Sequence, residues 1–369
     1  MEINHFAYFI SFGFLLISII VYAAYQFESN EKNKLPDYEN DEDIFSPDIS
    51  VVIAAKNESE NLDCLFNHLE KLDYDIKHFE VIIVNDDSSD STENIAKNRI
   101  SGKTNFHLFN STGKLLPGKK GALAIGIQKA KFDFIAITDA DCKPEKQWLK
   151  SIAAKLDAGY DFVFGVAPVE SGTKLIEKIS AFESMRNFYL NIAAAGLNMP
   201  FSAAARSFAL RKKSFEKIGG YSNTIETLSG DDDLLLCEAV KNKMQIGTFM
   251  QKDSLVFSAP PDSLKNYLKQ KKRHLQTSFH YLPKQKLFLG MWFTTNIIAF
   301  LSVFAALISP IAAIPFCVKM VFDVFISMKH QKELGHTFRF YQLVYLQFFY
   351  ELFVVVNFFN SLSGKTEWK

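Results

Sequence analysis

Twenty consecutive residues, Phe6 to Tyr25, carry no charge. At about 1.5 Å per residue a helix of that length covers about 30 Å, one hydrocarbon core. A cleaved signal peptide is the rival reading, but the preceding Met-Glu-Ile-Asn-His has no basic n-region. A second apolar region closes the chain. From Leu287 to Met328 only Lys319 and Asp323 are charged, and Ser309-Pro310 and Pro315 divide the stretch. This predicts two helices, roughly 288–308 and 311–328, with Lys319 and Asp323 four apart and able to pair on one face. Tyr341 to Phe359 is a third segment, interrupted by Glu351. It reads as a span, with an interfacial or re-entrant segment as the alternative. The expected organisation is an anchor at 1–27, a polar linker at 28–48 containing Pro36 and Pro47, a globular part at 49–283, and a membrane region at 284–369.

Composition narrows the middle part. Lys+Arg and Asp+Glu are 41 each, so no global charge points to nucleic acid. Cys64, Cys142, Cys237 and Cys317 show no C-x-x-C spacing, which suggests neither a disulfide framework nor a zinc site. Within 49–145 apolar strands alternate with helices: Ile49–Ile53, then a helix at about 60–72, Val81–Val84, then another helix. That order implies an α/β fold with a parallel, doubly wound sheet.

The run Phe134 to Ile137 continues into Thr138-Asp139-Ala140-Asp141. Read as one strand, it points both carboxylates the same way at the strand's carboxyl end, where open α/β sheets bind ligands. Paired hard oxygens there suit a divalent cation that also holds phosphates, Mg²⁺ or Mn²⁺. A plain acidic turn is the bland alternative. Gly118-Lys119-Lys120-Gly121 opens a helix. Two lysines in a first turn oppose the helix dipole, which makes sense if they and the first amides face a phosphate. Asp231-Asp232-Asp233 opens another apolar helix and suits its dipole.

These stretches resemble glycosyltransferase family 2, with the GT-A fold, in the membrane-anchored branch similar to chitin-oligosaccharide, hyaluronan and cellulose synthases. Val51 to Glu58 resembles the opening V-V-I-P-A-x-N-E, with Ala54 in place of Pro and with Asn57 and Glu58 retained. Val84 to Thr92 resembles V-D-D-x-S-x-D-x-T, with Asn85 at the first acidic position. Thr138–Asp141 resembles the family D-x-D, Arg206–Lys212 its R-N-L-A-Y-R-K, and Gln270–His274 its Q-x-x-R-W. The motifs recur in family order across residues 49–283.

The resemblance implies roles. Ala54, Asn57, Glu58, Asp86, Lys120, Asp139, Gln270 and Arg273 would serve the donor, with Asp86 at the base and Asp139 toward ribose and diphosphate. Asp141, with Asp139, would hold the metal; Arg206 and His274 would meet the acceptor. The general base is an acid of the 231–233 run, aligned at Asp232, with Asp231 and Asp233 its neighbours and a one-residue slip giving Asp233.

The expected protein is therefore an inverting, metal-dependent hexosyltransferase with a GT-A domain, one N-terminal and about three C-terminal transmembrane helices. It would take a nucleotide-diphosphate sugar, UDP-linked, and a lipid-linked or saccharide acceptor, in glycolipid or polysaccharide synthesis. Basic residues including Lys284, Lys286, Lys329, Lys332 and Arg339 flank the apolar segments. With four spans they all fall on one side, which puts the protein in a plasma or inner membrane with a cytoplasmic catalytic domain. A processive or short-oligosaccharide synthase, an inactive membrane scaffold and a nucleotidyltransferase remain as alternatives. His274 in place of the family Trp gives a smaller stacking platform and weighs against processivity.

Overall fold

The computed structural model describes residues 2–32, 47–225, 227 and 229–363. Most of the expected linker (33–46), Leu228 at the head of the acidic run, and the tail from Gly364 lie outside the described residues. The chain forms two compact units: one collects residues 2–28, 171–199 and 260–363, the other 29–32, 47–170 and 200–259 of the described residues.

The second unit is an α/β layer structure. Its strands are β1 (Ile49–Ala55), β2 (Phe79–Asn85), β3 (Phe106–Asn110), β4 (Phe134–Ile137), β5 (Cys142–Pro144), β6 (Phe162–Gly165), β7 (Phe208–Arg211), β8 (Ile246–Phe249) and β9 (Val256–Ser258). Seven of them form one sheet in the order β3-β2-β1-β4-β7-β6-β8. Only β7 runs against its neighbours; the other pairings are parallel. Val51, Val52 and Ile53 are inaccessible to solvent, as are Val81, Ile82 and Val84. Burial on both faces is what an apolar, β-branched run requires, at about 1.5–3 kcal/mol for each side chain. Helix Gly118–Lys129 lies close on this sheet because of Gly126. A Cβ there would stand 2.4 Å from Val52 Cγ1.

One detail differs from the sequence reading. β4 ends at Ile137, so Thr138 to Asp141 form a turn rather than a strand end, with the Cys142 N–H donating to the Asp139 carbonyl at 3.3 Å. Helix Leu175–Gly196 clusters with the apolar helices rather than with the sheet.

The first unit is helical. Four of its helices are long and apolar enough to cross a membrane: Asn4–Asn30, Pro283–Ala305, Pro310–His330 and Phe340–Ser361. Pro283 stands at the first helical position, where a missing N–H costs nothing. The i, i+4 pair forms: Lys319 Nζ lies 2.5 Å from Asp323 Oδ2 and also bonds Glu351 Oε1 and Asn296 Oδ1, each at 2.7 Å. Arg186 completes the group, 2.8 Å from Asp323 Oδ1. Gln347 donates to Asp323 at 3.0 Å and to Glu351 at 2.9 Å. Two cations and two anions cancel, which is how charges can be held in an apolar bundle.

Candidate active site

The sheet topology gathers the acidic motifs. β4 pairs with β7 so that Ile137 faces Phe208. The residues after β4 therefore run beside those before β7, and the Asp139–Asp141 turn meets the short Ala205–Ser207 helix. Trp148 pins that helix by donating from Nε1 to Ser207 Oγ at 3.1 Å, inside the core. Ala204, just before it, has φ 46° and ψ 104°, a conformation an alanine adopts only under constraint. The strained turn aims the Ala205 N–H at Asp232, whose Oδ2 accepts it at 2.5 Å. Asp232 stands just before helix Asp233–Lys241, with Gly230 at φ 77° admitting the turn that precedes it.

Lys119 joins the two acidic groups. Its Nζ lies 2.6 Å from Asp139 Oδ1 and 2.8 Å from Asp231 Oδ2. Burial lowers its pKa, but the two carboxylates outweigh that and hold the ammonium well above its ordinary value. Lys120, the lysine expected at the phosphates, is 2 % exposed and turns away. It donates to the carbonyls of Thr224 and, at 3.0 Å, Thr227. Burial lowers its pKa. Consecutive helical residues differ by about 100° in direction, so Lys119 bonds the carboxylates while Lys120 bonds backbone carbonyls.

Asp139, Asp141 and Cys142 bring one ligand atom each within 4.8 Å of one another. Two carboxylates and a thiol at a strand exit fit a divalent cation, with the hard oxygens favouring Mn²⁺ or Mg²⁺. Loss of surrounding water raises the Asp141 carboxyl; the Asp139 charge adds to this and Arg206 opposes it. Arg206 donates to Ser258 Oγ on β9, next to β5. Asp232 is pushed up to about 8 by burial, with the charges of Asp233 and Asp231 adding and Lys119 opposing.

The parallel pairing of β1 with β2 brings the first two motifs together at their carboxyl ends. The Asp86 N–H donates to the Ala55 carbonyl at 2.8 Å. Asn57, at φ 55°, donates its N–H to Ser88 Oγ at 3.0 Å, and its Oδ1 accepts from the Ser89 N–H at 2.8 Å. The Glu58 N–H reaches Thr92 Oγ1 at 2.8 Å. Asp90 is tied locally, accepting from the Thr92 hydroxyl at 2.6 Å and N–H at 3.0 Å; the hydroxyl bond chiefly holds its carboxyl below the usual range. Asp86 is 2 % exposed and bonded to Lys114. Ala54 is half-buried in β1.

Gln270, Arg273 and His274 lie on helix Leu264–Ser278 of the helical unit. Lys114 and Tyr221 were not singled out by the sequence reading. Tyr221 is 2 % exposed, and its hydroxyl has no hydrogen-bond partner among the described residues. Burial raises its pKa, with the Asp231 charge adding. A lone lysine in a loop and a tyrosine in a short turn carry no periodic or motif signal.

A family model described as "Glycosyl transferase family 2" matches residues 50–219. The chain is 25% identical over 189 residues to glycosyltransferase AglE of Haloferax volcanii, covering 50% of this chain and 59% of that protein. It is 29% identical over 206 residues to the probable glycosyltransferase YdaM of Bacillus subtilis, covering 52% and 46%. The chain thus spans about half the length of these relatives. Among solved structures, a mannosyltransferase from Pyrobaculum calidifontis in complex with GDP-Man and Mn²⁺ superposes with TM-score 0.59 at 15% identity, over 98% of this chain and 99% of that one. At that identity the likeness speaks for the fold alone.

Proposed function

With residues 50–219 a glycosyltransferase family 2 domain, we propose that the protein is a membrane-bound, inverting transferase that moves a sugar from a nucleoside diphosphate to a hydroxyl of a lipid-linked acceptor. The observation that carries this reading is Lys119, whose one ammonium holds Asp139 of the D-x-D turn beside Asp231 of the acidic cap. Donor-side and acceptor-side acids then share one site.

Asp139 and Asp141 would hold a divalent ion, Mn²⁺ or Mg²⁺. Such an ion supplies charge compensation on a departing diphosphate. Lys119 supplies a further positive charge at the same place. Asp232 accepts the proton of the acceptor hydroxyl; its raised pKa makes it a stronger base once ionised. The acceptor oxygen forms its bond to the anomeric carbon from the face opposite the diphosphate, whose bond breaks, and inversion follows. The Ala205 N–H fixes the Asp232 carboxylate at 2.5 Å. Asp86, in the loop after β2 and bonded to Lys114, would accept from a base N–H.

The P. calidifontis neighbour's GDP-Man and Mn²⁺ support a nucleotide sugar and a metal of this class. The apolar helices support a bilayer-embedded enzyme, with a cytoplasmic catalytic unit where nucleotide sugars are made. The small platform at His274 favours single addition over polymerisation.

The test is product analysis. Membranes carrying the protein are incubated with labelled UDP- and GDP-sugars and Mn²⁺, then extracted with organic solvent. One discrete labelled lipid is expected. A water-soluble ladder would replace this reading with a processive synthase, and pyrophosphate release with a nucleotidyltransferase.

A further inference from the structure

Helices Pro283–Ala305 and Ile314–His330 form an antiparallel hairpin. Asn296 meets Lys319 at 2.7 Å, and further along Ser302 Oγ accepts from the Phe316 N–H at 3.0 Å. The start of the first helix and the end of the second therefore lie at one membrane face. Helix Leu264–Ser278 lies at that face too. Between it and Pro283 the chain is wound into a turn: the N–H groups of Phe279, His280 and Tyr281 donate to the carbonyls of Gln276, Thr277 and Ser278 at 3.4, 3.0 and 3.2 Å. This helix carries Lys265, Lys269, Lys271, Lys272 and Arg273 with no acid, a load that a hydrocarbon core excludes.

Helix Phe340–Ser361 begins at the same face. Its approach is folded back on Gln331, one residue past His330, whose Oε1 accepts the Phe338 N–H at 2.5 Å. It also ends there. Asn357 donates to the Tyr267 hydroxyl and Asn360 to the Leu268 carbonyl, each at 3.0 Å. Gln276 donates to the Ser361 carbonyl at 3.1 Å, and Lys272 to Ser363 Oγ at 3.3 Å. The chain is wound from Gln276 to Tyr281 and extended at Leu282, so the segment to Pro283 covers at most about 17 Å. A true span would carry Ser361 about 30 Å from that face. Along the helix Tyr341, Val344, Phe348, Leu352, Val356 and Phe359 are exposed at helical spacing, while Leu343, Leu346, Tyr350 and Asn357 are buried. One face is apolar and open over the whole length; the other is packed.

We propose that Phe340–Ser361 is not a transmembrane span but a surface helix. It lies in the leaflet on the side of helix Leu264–Ser278, deep enough for Gln347 and Glu351 to meet Asp323 and Lys319, its open stripe set among the acyl chains and the neighbouring lysines at the phosphates of that leaflet. The chain then crosses the bilayer three times, and Ser363 returns to the face of Lys269. This rests on the membrane-bound reading above.

The test uses the full chain with Lys269→Cys, Ser309→Cys or Ser363→Cys, in sealed vesicles of both orientations, labelled with a membrane-impermeant maleimide. Peptide mass spectrometry assigns the label to the engineered thiol. Leu362→Cys, at an exposed neighbour whose side chain makes none of these hydrogen bonds, repeats the Ser363 position. Labelling of the 363 and 362 thiols from the face that labels 269, with 309 labelled from the other, is expected. Labelling of 363 and 362 together with 309 overturns the proposal and restores four spans. Labelling of every position in both orientations, with the protein washed from the membrane by carbonate, overturns the membrane reading itself.

Discussion

Replacing Asp233 by Asn should move the activity profile of the proposed transferase along the pH axis. Asp232 is pushed up to about 8, first by burial and then by the charges of Asp233 and Asp231. A base with that pKa is about one tenth ionised at pH 7 and about nine tenths at pH 9, so kcat/KM for the donor should rise about tenfold across the interval. Asp233 contributes the larger of the two carboxylate repulsions. Asp233→Asn removes it, so the rising limb should shift toward neutral pH and the pH 7 rate should increase relative to the plateau. The linked stability has a definite sign. Folded Asp232 keeps a proton up to about pH 8 that the unfolded chain releases above its ordinary 3.8. Its contribution to stability is complete in acid and is lost as pH rises through about 8. The assay is release of nucleoside diphosphate from pH 6 to 9.5, with thermal unfolding over the same range. A flat profile, or a limb that Asp233→Asn leaves in place, would refute Asp232 as the base.

Lys119→Met should abolish turnover and cost about 2 kcal/mol, a buried-pair loss discounted because Asp139 is 28% exposed. Thermal shift should show Mn²⁺ stabilising this variant more than the parent, since the ion then relieves facing carboxylates. Lys319→Met strips Asp323 and Glu351 of a shared cation that is wholly buried, and should lower stability by about 3–5 kcal/mol in detergent unfolding. Gly126→Ala should cost about 1–3 kcal/mol, because its Cβ would stand 2.4 Å from Val52 Cγ1; unchanged unfolding would mean the helix shifts freely on the sheet.

Much of the architecture is legible in the residues. Charge-free runs such as Phe6–Tyr25 and β-branched runs such as Val81–Val84 announce long apolar helices and buried strands, because burial selects composition directly. Geometry at the site is less legible. Asp139 and Asp141 converge through a turn, not through strand alternation, because β4 stops at Ile137. Lys119 and Lys120 are adjacent and chemically alike; which one meets the acids depends on the rotation of helix Gly118–Lys129 about its axis, a property of packing. Arg186 could not be paired with Asp323 in advance, because 137 residues separate them. Phe340–Ser361 has the length of a span, and length alone does not report where its far end is tied.

In the proposed reaction, metal held at Asp139 and Asp141 and proton removal at Asp232 serve one sugar transfer. The direct measurement is nucleoside diphosphate release from UDP- and GDP-sugars by membranes carrying the protein, with and without Mn²⁺, beside Asp141→Ala and Asp232→Ala. Mn²⁺-dependent release from one donor is expected, lost in both variants while both remain folded. Release that survives either substitution at the parent rate would contradict it.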